Sequence, residues 1–229
     1  MERTPQERED AVAALGFDEV GRSSEGRPIV ARRFGGPGAP LLLMGGIHGD
    51  EPASVDALLD LVQRIPLPGA PPFWLIPAAN PDGLRALRKN SARDVDLNRN
   101  FPARSFRADH APGYCPGPQP LSEPETRAVA ALIDQEGVRG AVAIHAPFAC
   151  VNFDGPDDPT RGWAQAVARA CGWPARADIG YPTPGSFGSW LGLDRQIPVL
   201  TLELPPGPLA DFRPAAAAAL DAALAAAPP

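Results

Sequence analysis

Cysteine is scarce in this chain. The three that occur, Cys115, Cys150 and Cys171, are odd in number and show no close metal-type pairing. That argues against a disulfide framework and makes free thiols in a reducing compartment the expectation. Long apolar runs are lacking too, for none approaches the roughly 18 residues that cross a bilayer. The N-terminal stretch from Met1 to Asp10 is charged and lacks the apolar centre of a secretory signal, so the expected compartment is the cytoplasm. Positive charge is in the minority, with 21 Lys and Arg against 27 Asp and Glu and a net charge of -6. Neither phosphate attraction nor counterion release would then favour nucleic acid or an anionic membrane, and neither is expected as a partner. Histidine is scarce as well, at three residues, so where each one falls carries weight.

What is present suits one folded unit. A chain of 229 residues fits a single domain spanning 1–229 and buries about 70% or more of its unfolded surface. The 23 glycines and 30 prolines punctuate well-formed apolar segments and read as loop residues.

Three apolar segments end in groups able to bind a metal or move a proton. Leu41 to Ile47 is an apolar run that stops at His48-Gly49-Asp50-Glu51. Its length and flanking turn residues fit a buried parallel strand, whose carboxyl end is where open α/β sheets bind ligands. The spacing His-x-x-Glu lets one loop present an imidazole and a carboxylate to the same point, as a zinc ion requires. Ala141 to His145 repeats the pattern, and Ile197 to Glu203 ends another strand in a lone glutamate. The bland alternative makes His48 and His145 core histidines satisfied by backbone partners. Two of the three histidines at strand ends, accompanied by Glu51 and Glu203, favour the metal. His110 falls in a Gly/Pro-rich loop and is expected to be solvated.

The remaining elements follow in order. A short amphipathic helix is expected over 1–15 and a strand over Ile29–Phe34 near the sheet edge. A helix is expected over Pro52–Ile65, where Val55, Leu58, Leu59 and Val62 recur at helical spacing. A strand over Phe73–Ile76 leads into the turn Asn80-Pro81-Asp82-Gly83. Ser122 and Glu125 have the spacing of a capping box opening a helix to about Gln135, which makes Glu123 and Glu125 structural. Cys150–Phe153 reads as a short apolar piece, Thr160–Cys171 and Pro214–Ala227 as helices, and the Glu203 strand is expected to close the sheet. The 103–120 loop has the length of an active-site wall.

The segment from Leu84 to Phe101 is basic. Arg85, Lys89 and Arg93 read as solvated, whereas Arg88, Asn98 and Arg99 have a better use. An enzyme that cleaves at a chain end needs a clamp for the terminal carboxylate and a cation for the oxyanion. Asp96 could orient a ligating histidine.

Taken together, His48-Gly-Asp-Glu51, Asn80-Pro-Asp-Gly83, Asp96-Leu-Asn-Arg99-Asn-Phe, His145 and Thr201-Leu-Glu203 occur in the order found in the zinc carboxypeptidases. Over residues 41–204 the chain resembles that family, which includes pancreatic carboxypeptidase A. The resemblance implies an α/β fold with a single mixed, largely parallel twisted sheet flanked by helices. It implies one zinc per chain held by His48, Glu51 and His145, with Glu203 activating water and Arg88, or the nearby Arg85, as the oxyanion arginine. Asn98 and Arg99 would hold the substrate's terminal carboxylate, and Tyr181 falls where the family keeps a mobile tyrosine.

Gly21-Arg-Ser-Ser-Glu-Gly-Arg-Pro28, His145-Ala-Pro147, Gly180-Tyr-Pro-Thr-Pro-Gly-Ser186 and Thr201-Leu-Glu-Leu-Pro205 are similar to bacterial members that trim diaminopimelate from cell-wall tripeptide during recycling. The implied partner is thus a small peptide, murein tripeptide. Digestive members carry a bulky or charged selector near the place of Gly188, which here leaves an open pocket for a long zwitterionic side chain. A deacylase of N-acyl amino acids, or a general metallocarboxypeptidase, would use the same zinc-binding residues. The oligomeric state is left open.

Overall fold

The computed structural model describes residues 2–229. Met1, at the head of the expected N-terminal helix, lies outside the described residues. Those residues form one sheet of eight strands, β1 (Asp18–Arg22), β2 (Pro28–Phe34), β3 (Leu41–Met44), β4 (Phe73–Ile76), β5 (Gly140–His145), β6 (Cys150–Asp154), β7 (Ala175–Arg176) and β8 (Val199–Glu203). Their spatial order is β1-β2-β4-β3-β5-β8-β6-β7. The central strands β4, β3, β5 and β8 run parallel, and antiparallel strands border them on both sides. The fold is mixed α/β, as the resemblance implies.

Six α-helices flank the sheet among the described residues, α1 (Pro5–Ala13), α2 (Pro52–Val62), α3 (Pro81–Ala86), α4 (Pro124–Glu136), α5 (Asp157–Cys171) and α6 (Arg213–Ala225). The all-apolar β3 explains the layering, because successive side chains of a strand point to opposite faces. Leu41 and Leu43 pack with Leu58 and Leu61 of α2, Trp163 of α5 and Leu220 of α6. Leu42 and Met44 join Val129 and Ile133 of α4, with Phe187 and Trp190, on the other face. Each such leucine gains about 1.5–3 kcal/mol over exposure, so slipping β3 by one residue would be costly.

Several expectations are corrected. The Ile29–Phe34 strand lies near the sheet edge, as expected, but the edge itself is the short β1, unforeseen from sequence, which pairs outside it from Asp18 to Arg22. The Glu203 strand does not close the sheet: β8 lies between β5 and β6, and β7 forms that edge. The Ser122–Glu125 capping box does not form. Ser122 Oγ instead donates to Glu123 Oε1 at 3.0 Å, and Glu125 accepts from the Ser24 backbone N–H at 2.9 Å. Both glutamates are buried structural groups, as expected. The reciprocal cap occurs at Thr4 and Glu7 of α1. Cys115, Cys150 and Cys171 are free, and no helix of the described residues is long and apolar enough to cross a membrane.

Candidate active site

The loop after β3 carries His48 and Glu51, and its shape depends on the Asn80 turn. The Gly45 N–H donates to Ile76 O at 3.0 Å, the Asn80 N–H to Gly46 O at 2.8 Å, and Asn80 Nδ2 to Ile47 O at 3.3 Å. Gly49 and Gly83 touch backbone to backbone, and a Cβ at Gly49 would overlap the Gly83 carbonyl. Both glycines are therefore demanded by close approach. Glu51 stands directly before α2, whose first helical residue is Pro52. Its carbonyl accepts from Ser54 Oγ at 2.7 Å, and that hydroxyl accepts from the Gly46 N–H at 3.0 Å.

β5 pairs with β3 and brings His145 to the same end of the sheet. β8 pairs in turn with β5 and sets Glu203 level with His145. Donor atoms of His48, Glu51 and His145 all lie within 4.8 Å of one another. His48 Nδ1 is 2.7 Å from Glu51 Oε1, and His145 Nδ1 is 3.0 Å from Glu51 Oε2. The far nitrogen of His48, Nε2, meets Asp96 Oδ1 at 3.1 Å. Asp96 is fixed by accepting the Asn98 N–H at 2.9 Å and by Lys89 Nζ, 2.7 Å from its other oxygen.

The charges explain the titration behaviour. Burial by itself would lower the pKa of His48, but Glu51 and Asp96 outweigh it and hold the imidazole up at about 9. Burial would raise Glu51, yet His145 and His48 bring it down to about 2. Asp96 is likewise held low, burial being outweighed by His48 and then by Arg99 and Lys89. Glu203 goes the other way: burial pushes it up, with His145 only partly opposing.

The donor set fits zinc. Two imidazole nitrogens and one carboxylate converge at the cavity, the three-residue donor set that catalytic zinc sites use. The outer nitrogen of His48 is engaged by a carboxylate, the usual support for a zinc-binding histidine. Glu203 Oε2 is buried beside this set with no hydrogen-bond partner among the described residues.

One cavity gathers most of the residues singled out from sequence. His48, Glu51, Asn98, Arg99, His145, Tyr181 and Glu203 line it, and Asp96 lies behind His48. Asn98 Oδ1 accepts the Phe187 N–H at 2.9 Å, while its amide nitrogen is 3.4 Å from His145 Nε2. Arg99 is almost buried and lies 5.3 Å from the Tyr114 ring. Tyr181 is 38% exposed at the mouth, within 6.1 Å of Phe148 and 6.5 Å of Tyr114 between ring centroids.

The arginine expected at the oxyanion is placed differently. Arg88 is exposed and is not among the cavity-lining residues, whereas the neighbouring Lys89, expected to be solvated, is. A left-handed turn at Leu87 (φ 48°) ends α3 just before these two residues. Arg85 is engaged with Glu9 at 3.3 Å, away from the cavity. His110 is exposed in its loop, as expected.

Tyr114, Asn152 and Asp154 also line the cavity and were not singled out. For Asn152 and Asp154 a signal existed: in Cys150-Val-Asn-Phe-Asp154 the polar residues alternate with apolar ones, the pattern of a strand with one polar face. Reading the segment as an apolar piece ending at Phe153 left Asp154 out.

Comparison with known proteins agrees with this geometry. The zinc carboxypeptidase family model matches residues 71–161, a span that includes Asn98, Arg99 and His145. Murein peptide amidase A of Escherichia coli (strain K12) is 33% identical over 207 residues, 83% of this chain and 82% of the relative. The crystal structure of a murein-tripeptide amidase from Escherichia coli O157 superposes with a TM-score of 0.77 at 31% identity, covering 93% of each chain. Bovine thrombin-activatable fibrinolysis inhibitor shares the fold, with a TM-score of 0.79 at 19% identity over 99% of this chain and 96% of its own. The chain belongs to the zinc carboxypeptidase family, and by that membership is a zinc-dependent metallopeptidase or amidase.

Proposed function

We propose that the chain hydrolyses the amide between γ-D-glutamate and meso-diaminopimelate in murein tripeptide, as a cytoplasmic step of cell-wall recycling. The observation that carries this reading is the convergence of His48, Glu51, His145 and Glu203 in one cavity with Arg99. The relatives named above supply the substrate class.

His48 and His145, through Nδ1, and Glu51, through its carboxylate, would hold the zinc ion. Bound there, zinc supplies Lewis acidity and lowers the pKa of a water molecule towards about 7. Glu203 takes the proton of the attacking water, the step for which its raised pKa suits it, and hands it to the leaving amine nitrogen. Arg99 pairs with the terminal carboxylate of the substrate, and Asn98 supports it from the adjoining position. Tyr181 covers the bound peptide from the mouth. Arg88, exposed beyond α3, would have to swing towards the cavity to meet the developing oxyanion, a type of contact worth about 3 kcal/mol, whereas Lys89 already stands at the wall to share that charge.

The direct test is release of free diaminopimelate from L-Ala-γ-D-Glu-meso-diaminopimelate by the zinc-loaded protein. Release that a chelator abolishes supports the assignment. An inert tripeptide beside rapid turnover of N-acyl amino acids would reassign the chain as a deacylase.

A further inference from the structure

One hairpin carries a motif that the chemistry above leaves unused. Gly21-Arg-Ser-Ser-Glu-Gly-Arg-Pro28 joins β1 to β2, and its polar groups converge on a single side chain, Asp82. Ser23 Oγ donates to Asp82 Oδ1 at 2.7 Å and Arg27 Nη1 to the same oxygen at 2.8 Å, while the Glu25 N–H donates to Oδ2 at 2.9 Å. Asp82 is 2% exposed. All of these partners are donors and one is a guanidinium, so the site is matched to a carboxylate rather than to a neutral group. The hairpin is itself anchored. The Ser24 N–H donates to Glu125 of α4 at 2.9 Å, the Arg27 N–H donates to Ser23 Oγ at 3.0 Å, and Arg27 Nε lies 3.4 Å from Glu9 of α1.

Asp82 lies in the first turn of α3, the element against which the loop carrying His48 and Glu51 rests. Asn80 caps that helix by accepting the Gly83 N–H at 2.9 Å, and its Nδ2 donates to the carbonyls of Ile47 and Lys89, each at 3.3 Å. The Gly49 N–H in turn donates to Lys89 O at 3.3 Å. Gly49 stands between His48 and Glu51, and no Cβ fits between it and Gly83. Close-packed contacts transmit displacement, so a shift of α3 passes directly to the backbone that bears both side chains. At six residues, α3 is too short to be held in place by its own helical bonds. The carboxylate in its first turn ties it to the hairpin.

We propose that Asp82 is a positioning residue for the metal: gripped by the 21–28 hairpin, it holds α3 where His48 and Glu51 are set for zinc. It acts through Gly83 and Gly49 rather than by contact with the ion. The inference rests on the zinc-binding residues assigned above and is independent of which amide is cleaved.

Asp82→Asn keeps the shape and removes the charge. The amide oxygen can still accept from Ser23 or Arg27, but the amide nitrogen meets the Glu25 N–H donor to donor. Zinc affinity is measured by competition with a chelating dye on the wild type, Asp82→Asn and Trp163→Phe. Trp163 Nε1 donates to Ala223 O at 2.9 Å between α5 and α6, so its replacement lowers stability from a part of the core away from the hairpin and α3. The expected result is a zinc Kd raised by about 10-fold or more in Asp82→Asn, the size of effect that supporting residues exert on metal sites, with Trp163→Phe at the wild-type value. The visible spectrum of the cobalt-loaded protein should change in Asp82→Asn alone. Wild-type zinc affinity in Asp82→Asn overturns the proposal. An equal loss in Trp163→Phe overturns it too, because zinc would then be reporting stability in general. Should Asp82→Asn fail to fold, Ser23→Ala, which deletes one donor to the carboxylate, must weaken zinc binding in its place. A wild type that takes up no zinc would instead overturn the assignment of the ligands, and the proposal with it.

Discussion

His48 and His145 meet edge to face, ring centroids 4.8 Å apart and planes inclined at 63°, and each points Nδ1 at a different oxygen of Glu51. His48 comes from the loop after β3 and His145 from the end of β5, two strands far apart in sequence that lie side by side in the sheet. Three carboxylates, Glu51, Asp96 and Glu203, surround these two rings in a largely buried space. Such a cluster favours a cation.

Glu203→Gln separates the proton shuttle from the metal. The substitution preserves shape and removes the base, so the zinc content found by metal analysis should stay at wild-type level while kcat falls by about 10³-fold. Loss of zinc together with activity would make Glu203 a ligand and refute its assignment as the base.

Arg99→Ala addresses the substrate's end. Removing a charge-assisted contact to a carboxylate typically costs about 2–3 kcal/mol, so KM for the tripeptide should rise by about 100-fold with kcat changed much less. Amidating the terminal carboxylate should impose a similar penalty on the wild type. If the amidated peptide were cleaved as readily as the free acid, Arg99 would have no clamping role.

Much of this was legible in the sequence because it was local or strongly patterned. β5 and β8 end in His145 and Glu203 in the structure as they do in the sequence, and His48 follows β3 in the loop beyond Met44. Packing decided what was not legible. No local rule tells that Arg88 faces solvent and Lys89 the cavity, because that depends on how α3 unwinds at Leu87. The capping box at Ser122 failed because Ser24, distant in sequence, claims Glu125. Gly188 was read as empty space, whereas the structure fills that space with a side chain from β6.

Asp56→Ala tests a buried charge pair away from the cavity. Arg8 is 2% exposed, and its Nε and one terminal nitrogen donate to Asp56 Oδ2 at 3.1 and 2.9 Å, tying α1 to α2. Deleting the carboxylate leaves the guanidinium buried with only Glu2, 3.3 Å away, so stability should drop by about 3 kcal/mol in urea denaturation. An unchanged midpoint would show that α1 docks through its apolar contacts alone.

Asp154→Asn should stabilise the protein at neutral pH. In the folded chain burial holds the carboxyl at about 6, above its unfolded value of about 3.9. A raised carboxyl binds its proton more tightly folded than unfolded, so the wild type is most favoured below the unfolded pKa. That advantage is lost as pH rises through about 6, and above it the folded state carries the full cost of a poorly solvated charge. Discounted for partial exposure, the cost is about 1–2 kcal/mol. Asparagine carries no such charge, so its advantage over aspartate should be absent near pH 4, grow between about pH 4 and 6, and level off above. Urea titrations of both proteins in the same state of zinc loading across that range read it directly. A variant less stable than wild type at pH 7 would mean that the Asp154 carboxylate already has a partner within the fold.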